Sequence, residues 1–137
     1  MAEKKLNVAY AYAPENAEVN FALGNLRLTQ GNSPAAESYY LATLRLDSNH
    51  EGAYNNLGIL ALEEKRWSRA ANFFARAVQQ DPRDAKTYYL IAQAQFNAHD
   101  FQNASVAIAR AIKLNPAEPQ FHVLSKEIRR AQTTESP

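Results

Sequence analysis

The sequence predicts an all-α solenoid of antiparallel helix pairs closed by a C-terminal capping helix. Three observations predict it: a period of 34 residues, apolar positions at helical spacing within each period, and a shortage of turn formers, with 4 glycines and 6 prolines in 137 residues. A chain of this length makes one ordinary domain.

The period is read from columns of like residues. Leu23-Gly24, Leu57-Gly58 and Ile91-Ala92 stand 34 residues apart. Ala36, Ala70 and Ala104 keep that step, as do Thr43, Ala77 and Ala111, and Pro82 and Pro116. Each period reads as two helices. In the second, Tyr54, Leu57, Gly58 and Ala61 share one face at steps of three and four, and Ala70, Phe73, Phe74, Ala77 and Val78 follow at the same spacing. Asp81-Pro82 ends the unit, because proline disfavours helix in the residue before it. The small residues at Gly24, Gly58 and Ala92 predict a close approach of paired helices, with Ala36, Ala70 and Ala104 facing them.

The turns within units are expected to differ. Gly31 suits a left-handed helix end, and Asn32 and Asp100 suit helix N-caps. Lys65 and Arg66 suit those positions less well, so that turn is expected to rest on packing of Trp67.

The units are bounded at 17–50, 51–84 and 85–118. Residues 1–16 continue the columns backwards: Ala2, Leu6, Ala9 and Pro14 precede Ala36, Tyr40, Thr43 and Ser48 by one period. They read as a partial repeat of a longer array or as an N-terminal capping helix. In 119–132, Phe121, Leu124, Ile128 and Ala131 form one amphipathic stripe behind Pro119, and 133–137 reads as a loose tail.

The columns resemble the tetratricopeptide repeat, a 34-residue helix-turn-helix with W-x2-L-G-x2-Y, then A-x3-F, then P. The second unit matches best, as Tyr54, Leu57, Gly58, Ala70, Phe74 and Pro82, with Ala61 in the tyrosine place. Arg27 and Ser48 depart in the first unit, and Gln95 in the third. The resemblance implies a right-handed superhelix whose first helices line a concave groove that takes extended or helical peptides. The groove row implied for this chain is Phe21, Asn25 and Leu28, then Asn55, Asn56, Ile59 and Leu62, then Lys86, Tyr89, Leu90, Gln93 and Phe96. An apolar row of this kind marks a contact surface unless neighbouring units bury it, and asparagine amides can hold a peptide backbone. Chaperone-adaptor members hold a peptide carboxylate with two asparagines and three basic residues. Here Asn25, Asn56 and Lys86 match, but Phe21 and Leu90 replace the other two cations.

The expected function is therefore a non-enzymatic interaction module for a protein or peptide partner. Self-association, or service as the arm of a larger enzyme such as a glycosyltransferase, are the alternatives. The formal charge of +1 gives no strong field for nucleic acid or anionic lipid, and no apolar run reaches membrane-span length. Zero cysteines exclude disulfides and thiol chemistry and fit a cytoplasmic setting. No cofactor or metal is expected. His50, His99 and His122 are scattered and read as surface residues, and Asp81 and Asp84 lack a calcium-loop pattern. Lys65, Arg66, Arg69 and Arg76 make a modest basic patch that reads as a solvated outer face.

Overall fold

The computed structural model describes residues 2–12 and 15–135, which form eight α-helices and no strand. They are α1 (Ala2–Tyr12), α2 (Ala17–Thr29), α3 (Ser33–Leu46), α4 (Glu51–Glu63), α5 (Trp67–Gln80), α6 (Ala85–Asn97), α7 (Phe101–Leu114) and α8 (Pro119–Glu135). Each helix packs on the next, and α8 reaches back to α6 as well as α7. Pro14, the last of the backward columns, lies outside the described residues, as do Ser136 and Pro137 of the expected tail. Thr133 and Thr134 are helical rather than loose. Their hydroxyls donate to the carbonyls of Arg130 at 2.8 Å and Ala131 at 2.9 Å, one turn back.

Helix pairs close because a small residue meets a large one. A Cβ on Gly24 would lie 2.6 Å from the Tyr40 ring, and one on Gly58 would lie 2.6 Å from the Phe74 ring. Tyr40 and Phe74 are fully buried, so neither ring has room to retreat. The third pair meets the same need differently: register sets Ala92 against Ile108, a branched chain where the others carry a ring. Two buried clusters result, one around Ala36, Tyr40, Leu57 and Leu60, the other running from Ala61 through α8.

All three turns within pairs have one geometry. Gly31, Lys65 and His99 sit at φ 75, 60 and 62. In the second turn Lys65 N–H donates to Leu62 O at 3.0 Å and Arg66 N–H to Ala61 O at 2.8 Å. The first and third turns repeat this at Gly31 and Asn32 and at His99 and Asp100. These bonds satisfy carbonyls left open at the helix end. Trp67 does not hold the second turn: it is only part-buried and belongs to neither core cluster. Backbone hydrogen bonds are strong enough to hold Lys65 in a region that disfavours side chains.

Caps open the helices. Asn16, Asn32, Asp84 and Asp100 each accept a backbone N–H three residues on. His50, expected as a surface turn residue, does the same through Nδ1 to Ala53 N–H at 3.1 Å, while its Nε2 lies 2.8 Å from Glu18 Oε1. Its ring packs, tilted, 4.5 Å from the Phe21 ring. Arg66 makes no side-chain cap.

Candidate functional site

The candidate site is the face of the first helices, α2, α4 and α6, continued by α8. Its first third is largely self-satisfied. Asn25 Oδ1 accepts from the Tyr40 hydroxyl at 2.7 Å and from Asn56 Nδ2 at 2.9 Å, and Asn56 Nδ2 lies 3.2 Å from the same hydroxyl. Burial raises the Tyr40 pKa, with the Asn56 contact opposing it, so the phenol stays neutral and donates. Two of the three asparagine amides that the sequence offered to a peptide, Asn25 and Asn56, are thus engaged with each other. Phe21 packs against Tyr40 at 5.7 Å and roofs Gly52, and Leu28 packs on the first core cluster.

The middle and far thirds are more open. Asn55 is half-buried and makes no side-chain hydrogen bond to the described residues, and Ile59 is 40% exposed. Leu62, Leu90 and Phe96 are part-buried against the second core cluster, Phe96 with its ring 5.5 Å from Phe101. Packing between units therefore covers much of the expected apolar row. Lys86 is exposed and in no ion pair with the described residues. The Tyr89 ring lies 5.2 Å from Phe121, and its hydroxyl accepts from Gln93 Nε2 at 3.0 Å.

Beside Tyr89 and Gln93, α8 opens a cleft of about 370 Å³, completed by Pro119, Gln120, Val123, Leu124 and Glu127. Val123 is 55% exposed. None of these α8 residues was in the expected row, because α8 reads as a cap. The signal was present: Gln120, Val123, Leu124 and Glu127 stand one period after Lys86, Tyr89, Leu90 and Gln93. α8 stands in the register of a first helix of a fourth unit. On the side where a second helix would pack it carries the polar residues His122, Ser125, Lys126 and Arg129.

Other polar groups are committed elsewhere. Arg66 pairs with Glu64 at 3.2 Å, Arg69 pairs with Glu37 at 2.6 Å, and Arg76 stacks on Tyr54 at 5.2 Å, which leaves little of the basic patch free. Glu51, Asp81 and Asp84 bring carboxylate oxygens within 4.8 Å of one another and are the described residues best placed to gather a cation. Both Asp84 oxygens already accept from Thr87, and Asp81 accepts from Arg83 N–H, so turn geometry accounts for the two aspartates.

The sequence profiles of the tetratricopeptide repeat match residues 2–51, 21–85 and 61–128. Human "Tetratricopeptide repeat protein 16" is 28% identical over a 101-residue alignment that covers 69% of this chain but 12% of that protein. This chain thus spans about an eighth of that relative's length. Among solved structures, Pseudomonas aeruginosa PilF aligns with a TM-score of 0.79 at 19% identity, over 96% of this chain and 60% of that one. The first repeat domain of Spaghetti (RPAP3), bound to the HSP90 peptide SRMEEVD, aligns with a TM-score of 0.76 at 20% identity, over 85% of this chain and 93% of that one. These likenesses establish the same helical-repeat fold.

Proposed function

Since this chain belongs to the tetratricopeptide repeat family, we propose that it is a non-catalytic interaction module whose first-helix face takes a segment of a partner protein. The observation that carries the reading is that the face leaves Ile59 exposed on α4 and Val123 exposed in a cleft also lined by the Gln93 and Gln120 amides. Apolar anchors beside amides suit an extended or helical peptide: the anchors supply affinity, and the amides accept and donate to its backbone. A structural neighbour holds a peptide, which supports the class of function. Its peptide, SRMEEVD, is acidic and ends in aspartate. That mode has little support here, because Asn25 and Asn56 bond to Tyr40 and to each other, and Phe21 and Leu90 bring no charge.

A random-peptide display library, screened against the whole chain, tests the proposal. Selected peptides are expected to lose at least about 1 kcal/mol of affinity on Ile59→Ala or Val123→Ala. Both side chains are exposed, so the variants remain folded. Peptides that bind both variants as tightly as the parent chain would sink the reading. Self-association is the second reading, favoured by Val8 at 52% exposed and by Tyr10 on α1. It predicts a solution mass that rises with concentration above 15.3 kDa and falls back on Leu6→Asp.

A further inference from the structure

The cleft between α6 and α8 has its own chemistry. Its lining carries one charged group, Glu127, among Tyr89, Gln93, Pro119, Gln120, Val123 and Leu124. Glu127 is exposed and makes no ion pair or hydrogen bond with the described residues. The other acidic residue of the face whose partner is known, Glu18, is held by His50. Gln93 spends an Nε2 proton on Tyr89, which leaves its Oε1 as an acceptor. The cleft is therefore apolar along its walls and rich in acceptors at one point.

We propose that this cleft is a subsite for one basic side chain, arginine or lysine, carried by the segment that occupies the groove; the inference rests on the groove-binding reading above. Both residues have an apolar stem and a charged head. The stem lies along Val123, Leu124 and the Tyr89 ring, and the head meets the Glu127 carboxylate with Gln93 Oε1 as a second acceptor. A bidentate guanidinium makes the stronger contact, since charge-assisted bonds to a carboxylate exceed neutral ones. An acidic side chain would be set beside a like charge. A purely apolar one would strip water from Glu127 and give nothing back. Charge complementarity within the cleft thus favours a basic side chain over an acidic one.

The test uses peptides selected from the random library, synthesised with arginine, glutamine or glutamate at the enriched position. Binding to the parent chain and to Glu127→Gln is read by fluorescence anisotropy. Replacing arginine by glutamine is expected to weaken binding to the parent chain about fivefold, the upper range for an exposed ion pair, and to leave binding to E127Q unchanged. The glutamate peptide is expected to bind the parent chain weakest and to recover on E127Q. Selected peptides that lack a basic residue, or an arginine effect equal on both proteins, overturn the subsite while leaving groove binding intact, provided that Ile59→Asp abolishes capture. If no peptide is selected, or if capture survives Ile59→Asp, the groove reading falls and the subsite falls with it.

Discussion

Single side chains set how closely the helices of each pair approach. Gly58 is a contact, not a hinge: its missing Cβ is the space that the buried Phe74 ring fills. Gly58→Ala is expected to cost about 1–3 kcal/mol by overpacking, read as a lower midpoint in urea denaturation. Adding Phe74→Leu should return part of the loss, since a smaller partner restores the room that Ala92 and Ile108 already share in the third pair. Lys65 presents the opposite case. It holds φ 60 without needing a side chain there, so Lys65→Gly should raise stability by about 1 kcal/mol, the usual strain of that region. A neutral or destabilising result would mean that the Lys65 side chain does something the backbone geometry does not show. These columns were legible in the sequence because a period reports which positions must be small. The turn at Lys65 was misread, because composition suggests a helix stop only where glycine or asparagine stands. The backbone imposes the same left-handed stop on any residue when enough hydrogen bonds close it.

At the scale of elements, α1 and α8 are the instructive helices. α1 is tied to α2 by Arg27, whose Nη1 donates to Glu3 Oε1 at 2.8 Å, and by Gln30, whose Nε2 donates to Glu3 Oε2 at 3.1 Å. The hydrogen bond from Arg27, then that from Gln30, hold the Glu3 carboxyl below its ordinary value of 4.5. A depressed carboxylate pKa contributes stability above the unfolded value that is lost as pH falls through the folded value. The docking of α1 should therefore loosen as pH drops below 4.5, before the core pairs open. Amide hydrogen exchange measured along α1 and α4 at several pH values would show it, with Glu3→Gln removing the pH step. The tie was hidden in the sequence, since Arg27 reads there only as a departure from the tyrosine column. α8 was legible as a helix from its amphipathic stripe, whose Phe121, Leu124 and Ile128 are buried. Its groove residues went unread because a cap was not expected to bind; the period alone would have extended the row to Glu127.

On the scale of the whole molecule, the groove face is divided. Around Asn25, Tyr40 and Asn56 it is knit to itself, while farther along Ile59 and Val123 are exposed and Glu127 lines an open cleft. Of the apolar row named from the sequence, Phe21, Leu28, Leu62, Tyr89, Leu90 and Phe96 are part-buried by packing, and Ile59 is exposed. Periodicity reports which side of a helix a residue occupies but not how far the next unit covers it, and that depth needs three dimensions. Exposure leaves Ile59 of that row, joined by Val123 of α8, as the proposed anchors.

The most direct measurement is a map of backbone amide chemical shifts as a selected peptide is titrated into the isotope-labelled chain. Shifts are expected to concentrate at Asn55, Ile59, Tyr89, Gln93, Gln120, Val123 and Glu127, with the second helices α3, α5 and α7 nearly silent. Shifts centred on those second helices, or on α1 alone, would contradict groove binding and would put the partner on a surface other than the groove.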